Sequence, residues 1–272
     1  MRRFIHKMTG PKSAWKFAPL SKPFTAAPNT RKLEGIVFDV DGTLCEPQTY
    51  MFTEMRSALG IGKSQDILEH VYSLPSPEEQ HHAMELIRDI ERRAMLKQVA
   101  QPGLAQLMAY LDSRGVRKGI CTRNFDTPVN NLLSKFLAGS VFAPIVTRDF
   151  RPPKPDPAGI LHIARSWGLV RRSTGEAGVP ADEAEEERRP VGEGQDGEDG
   201  LRPTEAGEEV ADASGLIMVG DSIDDITAGR RAGAKTVLLV NDVNRHLADH
   251  KHTDLVISRL DELIDVLENG LL

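Results

Sequence analysis

The sequence predicts an α/β fold: a parallel sheet covered by helices on both faces, with a small helical domain inserted after the first strand of the core. Three observations carry this. Short unbroken apolar runs such as Gly35-Ile36-Val37-Phe38 and Leu216-Ile217-Met218-Val219 have the texture of strands buried on both faces. Segments of helical character separate these runs, an alternation that builds parallel sheets. Between the first strand and the rest lies a helical block over residues 50–100, long enough to form a unit of its own.

The elements follow in order. Residues 1–30 hold Arg2, Arg3, Lys7, Lys12, Lys16 and Lys22 and no acid. Pro11, Pro19, Pro23 and Pro28 forbid a long helix there, so a disordered basic tail is expected. The alternative is a mitochondrial targeting segment, with Phe4, Ile5 and Met8 forming an apolar edge opposite Arg2, Arg3 and Lys7. From Leu33 the texture changes, and the strand over 35–38 runs without a polar turn into Asp39-Val40-Asp41-Gly42-Thr43. In the helical block, Met51, Met55 and Leu59 recur at helical spacing, and Pro75 and Pro77 separate them from a long helix over 78–99. His81 and His82 are adjacent, do not share a helix face, and are expected to be solvated.

After Pro102-Gly103 the chain alternates. A helix near 104–114 precedes a strand over 116–121, then a helix near 128–138, a strand near 143–146 and a helix near 157–167. A strand over 216–219, a helix near 224–232, a strand over 236–240 and a terminal strand and helix complete the core. Between the two halves, residues 171–213 carry fourteen acids against five arginines, with many Gly and Pro and few apolar side chains. Such a segment buries too little to offset the entropy of ordering, so a disordered surface insert is expected.

The overall balance, 34 Lys+Arg against 40 Asp+Glu for a net charge of −6, describes no single surface. It sums the basic tail, the acidic insert and a nearly neutral body, which argues against a nucleic-acid partner. No apolar run approaches the ~20 residues of a membrane span. Cys45 and Cys121 form neither a disulfide framework nor a metal-ligand spacing; they read as buried fillers of a protein in a reducing compartment, the cytoplasm by default.

Four stretches fall at or after strand ends and together suggest one site. In Asp39-Val40-Asp41-Gly42-Thr43-Leu44, alternation points both carboxylates the same way, and Gly42 permits a tight exit that brings N–H groups near an anion. Thr122 follows the strand ending Gly119-Ile120-Cys121 and precedes Arg123-Asn124. Lys154 is held within Pro152-Pro153-Lys154-Pro155. The fourth stretch is Gly220-Asp221-Ser222-Ile223-Asp224-Asp225.

With these four motifs in order, the sequence resembles the haloacid dehalogenase superfamily, and within it the phosphoglycolate-phosphatase-like branch, whose fourth motif has the Gly-Asp-Ser-x-x-Asp form of Gly220–Asp225. The resemblance covers 33–170 and 214–272 and implies a Rossmann-like core over 31–44 and 102–272 with a small helical cap over 45–101. The acidic insert has no counterpart in the family pattern, and Thr122-Arg123-Asn124 departs from the small residues usual after the second motif.

The chemistry agrees with the resemblance. A phosphate monoester repels nucleophiles, so its hydrolysis requires a nucleophile, charge neutralisation and a proton for the leaving oxygen. Asp39 can attack phosphorus, Asp41 can serve as general acid and then base, and Lys154 supplies positive charge. Thr122 and the N–H groups at Gly42 and Arg123 can bond phosphoryl oxygens. Arg123 and Asn124 either read a substrate carboxylate or sugar hydroxyl, or cap the next helix. Mg²⁺ is the expected cofactor, held by Asp39, Asp221 and the backbone carbonyl of Asp41, with Asp225 rather than Asp224 as the second acid of the fourth motif. The expectation is therefore a Mg²⁺-dependent phosphatase acting on a small phosphorylated metabolite through an aspartyl phosphate, as a monomer or alternatively a dimer. A sugar phosphomutase is the enzymatic alternative, and a non-catalytic module using the acidic insert the alternative of another class.

Overall fold

A computed structural model describes residues 15–173 and 207–270. Its core is a six-stranded, wholly parallel sheet in the order β10-β9-β8-β3-β4-β5. The strands are β3 (Gly35–Phe38), β4 (Lys118–Cys121), β5 (Ile145–Val146), β8 (Leu216–Gly220), β9 (Lys235–Leu239) and β10 (Leu255–Ile257). From β3 the chain winds outward through β4 to β5, then returns to the other side of β3 to lay down β8, β9 and β10. The winding therefore reverses between β3 and β8, and at such a switch point the crevice beyond the strands' carboxyl ends is the place for a ligand.

Alternation divides the strand residues between two packed faces. Ile36, Phe38, Ile120, Ile217 and Val219 meet Leu104, Leu107 and Leu111 of α4 (Leu104–Ser113), Val129 and Leu132 of α5 (Asp126–Phe136), and Leu263 and Leu267 of α8 (Glu262–Asn269). On the other face Val37, Cys121, Leu216 and Met218 meet Ile160 and Ile163 of α6 (Ala158–Ser166) and Ala228 of α7 (Ile223–Ala232). Both cysteines are buried and free.

The cap consists of α1 (Thr49–Leu59), α2 (Ile67–Ser73) and α3 (Pro77–Leu96). Local chemistry directs two of the three starts: Asp66 caps α2 by accepting the N–H groups of Leu68 and Glu69, and Ser76 and Glu79 form a capping box ahead of Pro77 at the first helical position of α3. Met51, Met55, Ile67, Val71, Ala83, Ile87, Ile90 and Ala94 give the cap its own small core, which Phe125 of the main domain completes. The two linkers between cap and core run side by side, joined by Glu46 N–H to Val99 O at 2.9 Å and Gln101 N–H to Leu44 O at 3.1 Å. No helix of the described residues is long and apolar enough to cross a membrane.

Two expectations require correction. The tail expected to be disordered over 1–30 is fastened at residues 15–20 and 30–31, with 21–29 exposed between them: β1 (Lys16–Phe17) pairs in parallel with β2 (Thr30–Arg31), and Phe17 is buried in the main core. Trp15 meets Phe17 edge-on at 5.1 Å, and Leu20 N–H donates to Leu267 O. Two aromatic anchors against the sheet outweigh the basic, proline-rich composition. The ends of the acidic insert are also ordered, because β6 (Val170–Arg172) pairs antiparallel with β7 (Glu209–Ala211). The rest of the insert and residues 1–14 lie outside the described residues.

Candidate active site

The reversal between β3 and β8 places Asp39 and Asp221 side by side, each just past the end of its strand. Asp39 N–H continues the sheet by donating to Val219 O at 3.0 Å. The chain then turns sharply, with the N–H groups of Thr43, Leu44 and Cys45 all directed at Val40 O. Gly42 makes this turn at φ +80°, and a Cβ there would lie 2.1 Å from Asp221 Oδ2. Only glycine satisfies both the left-handed backbone and the close approach. Gln101, at the end of the second linker, fixes the turn by donating its side-chain N–H to Gly42 O at 2.7 Å.

Lys154, buried in the loop before α6, joins the two acidic motifs. Its Nζ donates to Asp39 Oδ1 at 2.7 Å and to Asp225 Oδ1. Asp225 Oδ2 accepts the N–H groups of Asp221 and Ser222 and the Ser222 hydroxyl, while Ser222 Oγ accepts Asp225 N–H in return. Asp225 thus stitches the loop at the start of α7 and aims Lys154. Asp224, its neighbour, turns instead to Arg123 at 2.7 Å. Carboxylate oxygens of Asp39, Asp221 and Asp225 lie within 4.8 Å of one another, the single such acidic group among the described residues.

So many acids out of water are costly. Burial pushes the Asp39 carboxyl up to about 7, with Lys154 opposing and Asp225 and Asp41 adding to the rise. Burial likewise raises Asp221 to about 8, reinforced by Asp225 and Asp39. On Lys154 burial works against the charge, but Asp225 and Asp39 outweigh it and hold its pKa above the ordinary lysine value. One lysine cannot neutralise this cluster. A divalent cation fits it, since every donor is a hard oxygen and the carboxylates converge in a small volume.

Asp41 lies beside the cluster but outside it. Its Oδ2 accepts from Asn124 Nδ2 at 2.7 Å and its Oδ1 contacts Cys45 Sγ at 3.4 Å. Burial raises its pKa although both donors favour the charged form. Thr122 is buried at the end of β4, its Oγ1 accepting Asn124 N–H at 3.2 Å.

The residues predicted to read substrate have other partners. Asn124 positions Asp41, and Arg123 is clasped between Asp224 of the core and Asp66 of the cap, the latter at 2.5 Å. The predicted residues Asp39, Asp41, Gly42, Thr122, Arg123, Asn124, Lys154, Asp221 and Asp225 all line one cavity of about 250 Å³ beneath the cap. It also contains residues the sequence did not single out. Arg148, just past β5, is buried, donates to the cap's Glu91 at 2.7 Å and sits over the Phe125 ring. Arg56 reaches the cavity from α1. Asn241 and Asn244 hold Asp221 from outside by donating to its Oδ2 and its main-chain carbonyl. The signal for Arg148 was its place immediately after a parallel strand, on the carboxyl side of the sheet.

Comparison with known proteins agrees with this geometry. Residues 33–175 match the family model of haloacid dehalogenase-like hydrolases, and residues 203–263 match a second model of the same type. An uncharacterized hydrolase of Saccharomyces cerevisiae is 38% identical over 88% of this chain and 93% of its own. An N-acetylmuramic acid 6-phosphate phosphatase of Pseudomonas aeruginosa is 24% identical over 88% of this chain and 97% of its own. Among solved structures, a hydrolase from Pseudomonas syringae superposes with a TM-score of 0.59 at 20% identity, covering 86% of this chain and 98% of its own. The family model over 33–175 and the yeast relative at 38% identity over most of both chains show that the chain belongs to the haloacid dehalogenase-like hydrolase family.

Proposed function

We propose that the protein is a Mg²⁺-dependent phosphatase of small phosphorylated metabolites, working through a phosphoryl group carried on Asp39. The observation that carries this reading is the pairing of Lys154 with both Asp39 and Asp225, which brings the first, third and fourth motifs into one buried cluster. The bacterial relative named N-acetylmuramic acid 6-phosphate phosphatase supports a small phosphorylated substrate. Asp39, Asp221 and the Asp41 carbonyl would hold the metal, with Asp225 behind them. When bound, it neutralises carboxylate and phosphoryl charge.

The chain's own residues account for the remaining steps. Asp39 forms a bond to phosphorus as the ester P–O bond breaks, which divides one hard displacement into two easier ones. The departing oxygen takes its proton from Asp41, whose raised pKa keeps that proton available. Asp41, now charged and oriented by Asn124, accepts a proton from the water that attacks the phosphoryl group, and Asp39 is released. Lys154 faces the nucleophile throughout and counters the charge on the transferring group. The cap covers this chemistry and limits access to small esters.

The test is release of phosphate from an aryl phosphate with Mg²⁺ present. Activity is expected in the native protein and none in Asp39→Asn; turnover that survives the substitution, or survives EDTA, removes the mechanism.

A further inference from the structure

A buried ion pair joins the cap to the core. Glu91 of α3 accepts from Arg148 Nη2 at 2.7 Å, and the two side chains are only 2% and 5% exposed. The pair is incompletely made, since Arg148 Nη1 and Glu91 Oε2 are both buried without a hydrogen-bond partner. Charges taken out of water in this way are weak evidence for stability, which directs attention to what they hold in place. What they hold is the loop after β4. Arg148 Nε donates to Arg123 O at 2.6 Å, Arg148 N–H donates to Asn124 O at 2.9 Å, and the guanidinium lies over the Phe125 ring at 4.2 Å. One residue thus grips three consecutive residues. Arg88, one turn before Glu91 on the same helix, stacks on the same ring at 4.6 Å.

The gripped loop carries the residue that orients Asp41. Asn124 Nδ2 donates to Asp41 Oδ2 at 2.7 Å, while Asp41 Oδ1 has only the weak thiol donor of Cys45 at 3.4 Å. An unbroken series of contacts therefore runs from cap helix α3 through Arg148 and the 123–125 loop to the Asp41 carboxyl. An orienting amide is placed no better than the backbone that bears it, and a misplacement of about 1 Å at a reacting group costs roughly a hundredfold in rate. Glu91 lies outside the cavity lining, so substrate contact is not its route to the chemistry. We propose that Glu91 and Arg148 are positioning residues for proton transfer: they fix the 123–125 loop so that Asn124 aims Asp41 at the leaving oxygen. This rests on the reading of Asp41 as the general acid given above.

The test is the dependence of kcat/KM on the leaving group, across substituted phenyl phosphates from 4-nitrophenyl to unsubstituted phenyl, with Mg²⁺ present. A well-aimed general acid makes the native dependence shallow, because a protonated oxygen departs whatever its basicity. In Glu91→Gln and in Asn124→Ala, phenyl phosphate is expected to lose about tenfold more kcat/KM than 4-nitrophenyl phosphate. A smaller folded fraction lowers every ester by the same factor and leaves the slope native. Adding Glu91→Gln to Asn124→Ala should steepen the slope no further, since both act through one link. If circular dichroism melts show that Glu91→Gln does not fold, Arg148→Lys replaces it; lysine keeps a cation beside Glu91 but has no Nε to reach Arg123 O. A native slope in the Glu91 or Arg148 variant, or additive steepening in the double variant, overturns the proposal. A second readout is independent of turnover. In protein labelled with ¹⁵N-asparagine, the Asn124 side-chain amide, assigned by its absence in Asn124→Ala, is expected to shift its resonance in Glu91→Gln. A protein that hydrolyses no aryl phosphate yet shows this shift keeps the linkage and loses the phosphatase; an active protein with an unmoved amide and a native slope keeps the phosphatase and loses the linkage.

Discussion

Asp66 performs two tasks with two different oxygens, and a pair of substitutions separates them. Its Oδ1 caps α2 by accepting the N–H groups of Leu68 and Glu69, while its Oδ2 holds Arg123 across the boundary between cap and core. Asn keeps a capping oxygen but presents an amide in place of the anion, so Asp66→Asn removes the clasp and spares the cap; Asp66→Ala removes both. Both partners of the clasp are about one-third exposed, at 31% and 34%, so solvent screening limits the pair. About 0.5–1 kcal/mol is expected for Asp66→Asn. Losing the cap adds about 1 kcal/mol for Asp66→Ala. For a chain of this size those losses correspond to melting points lower by roughly 1–4 °C and 3–8 °C. Salt tells the two apart: at 1 M the Debye length is about 3 Å, so the native-to-Asn difference shrinks while the Asn-to-Ala difference remains. Acid works in the same direction. The N–H groups of Glu69 and Leu68 and the Arg123 charge hold the Asp66 carboxyl below its ordinary value despite burial, so the clasp is complete above the ordinary carboxylate pKa and is lost as pH falls through the folded value. Equal melting points for Asn and Ala, or a native-to-Asn gap unchanged by salt, would refute this division of labour.

Other outcomes follow from the same geometry. Asp39→Asn is expected to lower aryl-phosphate turnover by more than about a thousandfold with its melting point within a few degrees of native, measured by phosphate release and calorimetry. Without metal, the Asp39 and Asp221 carboxyls sit at about 7 and about 8, well above the unfolded value of 3.8. Groups raised in this way favour the fold at low pH and lose that contribution as pH rises through 7 and 8, so the metal-free protein should melt lower at pH 9 than at pH 6. Mg²⁺ should abolish that decline in the native protein but not in Asp221→Asn; a decline unaffected by Mg²⁺ argues against metal at this cluster. Gly42→Ala forces a left-handed backbone on alanine at a cost of about 1–2 kcal/mol and drives a methyl into Asp221, so turnover should collapse with only a moderate fall in melting point. Replacing residues 174–206 by a two-residue Asn-Gly turn should leave kcat and KM within about twofold, because the ribbon that carries them lies apart from the cavity.

The parts of this protein legible in its sequence are those governed by short-range rules. β3 and β8 are buried on both faces and so read as unbroken apolar runs, and the acids that terminate them stand where a parallel sheet exposes its functional edge. Pro77 and Ser76 announce α3 through the chemistry of helix starts. Trp15 and Phe17 carried no periodic signal, since two anchors suffice to fasten an extended segment whose composition otherwise resembles a free tail. Arg148 carried only the weak signal of its place after a strand, and Arg56 carried none. An arginine on a cap helix and another after a two-residue strand acquire meaning only when the fold seats both on one cavity. Arg123 was noticed, but its partners Asp66 and Asp224 are 57 and 101 residues away in the chain, a distance no local pattern spans.

The antiparallel ribbon of β6 and β7 ends where Gly207 N–H meets Ser173 O at 2.9 Å, so the chain leaves the fold and re-enters it at nearly the same point. Because the fold itself holds these two ends together, changing the length of the chain that joins them alters the loop-closure entropy by only about 0.6 kcal/mol for each doubling. The ribbon acts as an expansion joint: the length of chain between its two strands can change at little cost to the folding of the body.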